Sequence, residues 1–235
     1  MKAIILAAGM GTRLNPLTLN YPKCLLEINK KSILEHQINL LNKNNIDKIE
    51  IITGYKSNKI ESHIGNNVKY YFYPDFHKTN NLFTLSHHIN LLNEELLILF
   101  SDVLISPEVF EKLLYSNDDF SLLVDTDKCD ESTMRIKVKD NKIYDIGSHI
   151  SPKDGDGNFI GIAKFTLEGV RLLKNKINFL TKTKQHINDY YTIAIAALAN
   201  ENCNINFVNV DGAPWLEIDT FEEYQHAKKE KFYVL

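Results

Sequence analysis

The chain has 235 residues, 44% of them hydrophobic and 24% charged, with a formal net charge of −3. That length and apolar content suit one substantial core, and the mildly acidic balance gives no basis for expecting nucleic acid or an anionic membrane as a partner. Three scattered cysteines, Cys24, Cys129 and Cys203, form no CxxC pair, which argues against a disulfide framework and against a zinc site. The N-terminal residues read as a strand rather than a signal segment, and the longest apolar runs fall far short of a membrane span, so a cytoplasmic location is expected.

The first element is the apolar run Ala3–Leu6, which predicts a buried strand and breaks into Ala7-Ala8-Gly9-Met10-Gly11-Thr12-Arg13. Side-chain-poor residues let a flat base and a phosphate chain approach the backbone, where free N–H groups can donate to anionic oxygens. Arg13 and Lys23, ten residues apart, add charge-assisted contacts that can spread over several phosphates. The stretch therefore predicts a nucleoside triphosphate site built from Leu6, Ala7, Ala8, Gly9, Gly11, Thr12 and Arg13. Two other phosphate motifs are excluded. No GxxxxGK[ST] string exists. The dinucleotide fingerprint lacks its third glycine, and the following strand, Ile49–Thr53, ends in Gly54-Tyr55 without an acidic residue for a ribose.

Ser32 caps an amphipathic helix carrying Ile33, Leu34, Ile38, Leu40 and Leu41 and ending at Asn44-Asn45. After strand 49–53 come a short helix near Asn58–Ile64, a strand Val68–Tyr73, a helix from Asn81 to Leu92, and a buried strand Leu96–Phe100 closing on Ser101-Asp102. This alternation predicts an α/β fold with a doubly wound, mostly parallel, Rossmann-like mixed sheet flanked by helices. The second half reads as a helix Pro107–Tyr115, then strands Ser121–Val124, Met134–Val138 and Lys142–Ile146, the last two joined by a turn at Asp140-Asn141. A loop at Ser151 to Asn158, a strand Phe159–Phe165, helices Leu167–Asn175 and Asp189–Ala199, strands Ile205–Val210 and Trp215–Ile218, and a helix Phe221–Glu230 complete it. No repeat or linker interrupts the chain, so residues 1–235 are expected to form a single domain with substrate-facing insertions in the second half.

Ligands of open α/β sheets sit outside the carboxyl ends of the strands. Gly54-Tyr55, Asp102, and Glu217 with Asp219 fall at such ends. Asp102 and Asp219 suit Mg²⁺, which commonly takes one or two carboxylates and completes its octahedron with phosphates and waters. Asp219 could instead cap the last helix, but Thr220 is an equally good cap. Glu217 alternates with Trp215 and Asp219, so all three can share a face. The histidines show no ligand spacing, and Cys24 reads as a small buried hydrophobe.

LAAGMGTRL followed by Pro22-Lys23 resembles the signature of the nucleotidyltransferases that make nucleotide sugars and related CDP- or CMP-activated compounds. The resemblance implies a reaction in which an NTP and a phosphorylated acceptor give a nucleotide-linked product and pyrophosphate, with Mg²⁺ as cofactor. It makes Lys23 and Arg13 the catalytic cations, on the α-phosphate or acceptor phosphate and on the β and γ groups respectively. It also gives the metal to an acidic residue after a central strand and a second one near the end of the region, here Asp102 and Asp219. Trp215 to Thr220, Gly157 to Phe165 and Asn80 to Leu85 are similar to the phosphocholine cytidylyltransferase-like branch. That branch implies CTP and a small phosphorylated or phosphonate, amine-bearing acceptor. A cationic head group wants aromatic faces and a carboxylate, which points to Asn80, Asp189, Tyr190, Trp215 and Glu217 as the acceptor side. A sugar-1-phosphate nucleotidyltransferase using UTP, GTP or dTTP is the alternative enzyme, and a non-catalytic nucleotide sensor the alternative class. Two departures stand out: Ser-Asp at 101–102 where many relatives have Gly-Asp, and no lysine near Ser148-His149.

Overall fold

The computed structural model describes residues 1–129 and 134–233. In chain order its strands are β1 (Lys2–Ala7), β2 (Glu27–Ile28), β3 (Lys31–Ser32), β4 (Ile49–Thr53), β5 (Lys69–Phe72), β6 (Leu96–Phe100), β7 (Val103–Ile105), β8 (Phe120–Asp125), β9 (Met134–Lys139), β10 (Lys142–Gly147), β11 (Gly157–Phe165), β12 (Asn206–Asn209) and β13 (Trp215–Glu217). The helices are α1 (Ile33–Lys43), α2 (Ser57–Ile64), α3 (Asn81–His87), α4 (Pro107–Tyr115), α5 (Leu167–Leu180), α6 (Thr192–Asn200) and α7 (Phe221–Ala227). The chain divides into two compact units that alternate along it: Met1–His77, Ile98–Glu111 and Ala213–Leu235 form the first, Lys78–Leu97 and Lys112–Gly212 the second.

The first unit is the parallel α/β part. Its strand order runs β6 (from Ile98 on), β1, β4, β5, with β1 and β4 parallel in the register Ile5↔Ile51 and β4 and β5 parallel at Ile52↔Tyr71. Every residue of β1, β4 and β6 is buried, the near-continuous apolar reading of strands covered on both faces. Lys2 and Glu50 are the charged members of these strands, and they pair at 3.2 Å. Helix α1 makes the crossover from β1 to β4. It is fixed by a capping box in which the Ser32 hydroxyl accepts from the Glu35 N–H and the Glu35 carboxylate accepts from the Ser32 N–H. Two small pairings were not legible in the sequence: the β2–β3 hairpin and the antiparallel pair of β7 with β13. A hydrophobic cluster of Leu14, Leu26, Ile28, Ile33, Leu104, Ile218, Tyr224, Ala227 and Tyr233 packs early and late segments together, and the Tyr224 hydroxyl donates to the Glu27 carbonyl.

The second unit is largely antiparallel, in the order β10, β9, β11, β8, with β12 joining β8 in parallel. Asp140 and Asn141 both adopt positive φ, 52° and 58°, the geometry a tight two-residue hairpin demands. Several helices depart from their expected bounds, among them α7, which stops at Ala227 rather than Glu230. The pattern from Asn81 resolves into α3 and a separate 3₁₀ turn at Ile89–Leu91, and α5 runs on to Leu180. Helix α6 begins at Thr192 rather than Asp189, because the Asp189 segment is tied elsewhere: its carbonyl accepts from the Leu82 N–H and its carboxylate sits 2.7 Å from His186 Nδ1. Among the described residues no helix is long and apolar enough to cross a membrane. The fold class is α/β, a Rossmann-like arrangement with parallel strands at its centre flanked by helices.

Candidate active site

The site is built in the first unit, at the carboxyl ends of β1, β4 and β6. Strand β1 ends at Ala7, and the exposed Gly9-Met10 turn leads into Gly11, whose φ of 60° places it in the left-handed region. A side chain there would also meet Lys23 Cβ at 2.9 Å, so glycine serves both the turn and the close packing of Lys23. The Gly11 carbonyl accepts from the Thr18 hydroxyl at 2.8 Å, closing the loop on itself. Gly54, at the end of β4, is required by close approach: a Cβ would lie 2.7 Å from Phe76 Cβ and 2.8 Å from the Ala8 carbonyl oxygen.

Tyr55, which follows Gly54, also braces the loop. Its N–H donates to the Ala8 carbonyl, and its hydroxyl lies 2.9 Å from the carbonyl oxygens of both Thr18 and Leu19. Its polar atoms therefore strap the segment between Arg13 and Lys23 to the end of β4. Beside it a cavity of about 300 Å³ is lined by Gly54, Lys56, Ser57, Asn58 and Lys59.

Asp102 lies in the turn between β6 and β7. Gln37, buried on α1, holds that turn: its Nε2 donates to the Phe100 carbonyl at 2.7 Å and to the Val103 carbonyl at 2.8 Å. The sequence carried a signal for Gln37 that went unread, a polar residue within the stripe of Ile33, Leu34, Leu40 and Leu41 on the buried face. Strand β13 pairs with β7 so that Glu217 stands opposite Val103, and the Ile218 N–H donates to the Asp102 carbonyl. This brings Asp219 to Asp102. Thr220, not Asp219, caps α7: its hydroxyl accepts from the Glu223 N–H, while Glu223 Oε2 accepts from the N–H groups of Asp219 and Thr220. The Asp219 carboxylate is left to the site.

Lys23 Nζ stands 2.5 Å from Asp102 Oδ2 and 2.5 Å from Asp219 Oδ1, and Arg13 Nη2 lies 2.6 Å from Asp219 Oδ2. Burial opposes the charge on Lys23, yet the two carboxylates outweigh it and hold the ammonium above its ordinary pKa. Glu217 stands half-buried beside them; desolvation first, then Asp102 and Asp219, push its carboxyl well above the usual range. Burial, with Asp102 adding to it, pushes the Cys24 thiol up to about 12, in keeping with an inert, enclosed sulfur.

The structure thus brings together Arg13, Lys23, Asp102, Glu217 and Asp219, with Gly11, Thr12, Gly54 and Tyr55 around the β1 and β4 ends. Trp215, half-buried, lies on β13 opposite Ile105. Asn80, Asp189 and Tyr190 belong to the second unit. There Asn80 caps α3, its Oδ1 accepting from the Asn81 N–H and its Nδ2 donating to the Asn188 carbonyl. His149, just after β10, has its Nε2 2.9 Å from Asp145 Oδ2.

Residues 2–121, the stretch holding the glycine loop, both cations and Asp102, match the family model described as nucleotidyl transferase. The chain belongs to that family. A nucleotidyl transferase similar to it over nearly its full length is the CTP:phosphoglutamine cytidylyltransferase of Campylobacter jejuni, 26% identical over 96% of this chain and 98% of that protein. The choline-phosphate cytidylyltransferase of Streptococcus pneumoniae is 34% identical over 62% of this chain and 63% of its own. Among solved structures, a CTP:phosphocholine cytidylyltransferase from Streptococcus pneumoniae superposes with a TM-score of 0.77 over 97% of both chains at 22% identity. That likeness places the fold.

Proposed function

We propose that this nucleotidyltransferase transfers CMP from CTP to a small phosphorylated or phosphonate, amine-bearing acceptor and releases pyrophosphate, with Mg²⁺ as cofactor. The observation that carries the reading is the convergence of Lys23 and Arg13 on Asp102 and Asp219 beside the glycine loop. The two cytidylyltransferases similar to this chain supply the choice of CTP and of a small phosphorylated acceptor. A cytoplasmic location belongs to the same proposal.

The residues present fit a hard divalent cation. Asp102 and Asp219 offer carboxylate oxygens, and Asp102 Oδ1 is buried without a hydrogen-bond partner among the described residues. Bound there, Mg²⁺ would neutralise charge on the triphosphate. The protein's own part is positioning and charge compensation. The backbone from Ala8 to Thr12 receives the base and phosphates. Lys23, held fully charged, compensates the α-phosphate as an acceptor oxygen attacks phosphorus in line and the bond to the pyrophosphate oxygen breaks. Arg13, its side chain 58% exposed, reaches the β and γ groups that leave. A phosphate or phosphonate anion is already a nucleophile, so no side chain needs to be activated to attack.

Pyrophosphate release, screened with CTP, UTP, GTP and dTTP against phosphocholine, 2-aminoethylphosphonate, amino-acid phosphates and hexose 1-phosphates, tests the reading. Turnover with CTP and an amine-bearing acceptor is expected, and Lys23→Ala should lower kcat by about 10²–10³-fold, the scale of losing a charge-stabilising donor. Turnover confined to a hexose 1-phosphate would overturn the acceptor class, and nucleotide binding without turnover would favour a sensor.

A further inference from the structure

Both oxygens of Asp219 are taken by cations, Oδ1 by Lys23 and Oδ2 by Arg13. Asp102 gives its Oδ2 to the same Lys23 ammonium. The three groups that meet at Lys23 Nζ are enclosed, with side-chain exposures of 13% for Lys23, 16% for Asp102 and 6% for Asp219. The ammonium thus bridges Asp102 Oδ2 and Asp219 Oδ1, the position of a cation held between those two oxygens. The four charges of Arg13, Lys23, Asp102 and Asp219 sum to zero, and a bare divalent cation must compete with three short ion pairs.

We propose that Lys23 gates the metal site. In the free protein its ammonium fills the cation position between Asp102 and Asp219, and the carboxylates accept a divalent cation once a nucleoside triphosphate has drawn Lys23 and Arg13 onto its phosphates. The inference rests on the reading of Asp102 and Asp219 as the metal pair. Removing one member of a buried pair strands the other charge, whereas exchanging partners leaves every charge compensated. A triphosphate supplies the new partners for Lys23 and Arg13, and the metal supplies the new partner for the carboxylates. The exchange couples the two ligands, each raising the affinity of the other. Lys23 thereby has two stations, one on the carboxylates and one on the α-phosphate, and the metal enters only as the first is vacated.

Mn²⁺ binding followed by electron paramagnetic resonance, without nucleotide, tests this directly. Lys23→Met should bind Mn²⁺ at least about tenfold more tightly than the wild type, within the usual span of coupling effects. The gain should disappear in Lys23→Met/Asp219→Asn. Lys43→Met, which removes an exposed charge remote in sequence from the pair, should leave the affinity unchanged. Equal affinity in wild type and Lys23→Met overturns the proposal, as does an equal gain in Lys43→Met, which would reduce the effect to general charge. A second readout needs no variant: the ¹⁵N signal of the Lys23 ammonium should stay in place with millimolar Mg²⁺ alone and move with CTP. Movement with Mg²⁺ alone overturns gating. Absence of cytidylyl transfer on every acceptor would instead count against the proposed function, leaving the Mn²⁺ result to stand by itself.

Discussion

In the first unit, Arg13, Lys23, Asp102 and Asp219 come from four separate stretches of chain and meet through ion pairs. In the second, Asn80, Asn81 and Asp189 lie on two stretches and spend their polar atoms mainly on neighbouring backbone: Asn80 on Asn81 and Asn188, and Asn81 Oδ1 on the N–H of Tyr191. The first arrangement leaves charge that a ligand can exchange; the second uses polarity to fix the path of the chain. A polar residue in a promising position is thus a candidate for chemistry only once its hydrogen bonds have been counted.

Three measurements can break or sharpen that contrast. The largest effect is expected at Gly54, which packs against Ala8 and Phe76 at the end of β4. Gly54→Ala puts a methyl group against Phe76 and the Ala8 carbonyl, and overpacking of this kind costs about 1–3 kcal/mol. A lower melting temperature with weaker CTP binding is expected; an unchanged melting curve would mean that the loop yields freely. Next comes Asn80→Ala, which removes an N-cap worth about 1 kcal/mol and should lower the melting temperature while leaving the KM for the acceptor where it was. A raised acceptor KM without loss of stability would instead support Asn80 as an acceptor contact. Smallest is a rate of labelling. The Cys24 thiol, enclosed and with its pKa pushed up to about 12, remains protonated at pH 8, so maleimide should modify it far more slowly than the partly exposed Cys203. Equal rates, read by mass spectrometry, would show that the first unit opens around Lys23.

What the sequence disclosed was local. The glycine loop, Lys23, the Ser32 cap and the pair of equal cap candidates Asp219 and Thr220 all rest on residues within a few positions of one another, where spacing and chemistry speak directly; the structure decided between the two caps. The pairing of β7 with β13 was hidden because each has three residues, too few for an alternation of apolar and polar positions to declare itself. That short pair brings Asp219 to Asp102, so the ion-paired form of the site was beyond reach of pattern alone. Tyr55 shows another long reach: its place after β4 marked it for the nucleotide side, and nothing nearby in sequence announced that its hydroxyl meets the Thr18 and Leu19 carbonyls. The early start expected for α6 failed because contacts of Asp189 with His186 and Leu82, the latter distant in sequence, override local propensity.

The contact of Arg13 with Asp219 spans 206 positions, and that of Lys23 with the same carboxylate 196. During synthesis the glycine loop and both cations leave the ribosome long before their partner exists. At about 5–20 residues per second the interval lasts roughly 10–40 s, in which Lys23 and Arg13 have no Asp219 to hold. The nascent chain therefore carries a phosphate-seeking loop before it carries a complete site, and the arrival of β13 and α7 turns an open anion trap into a compensated one.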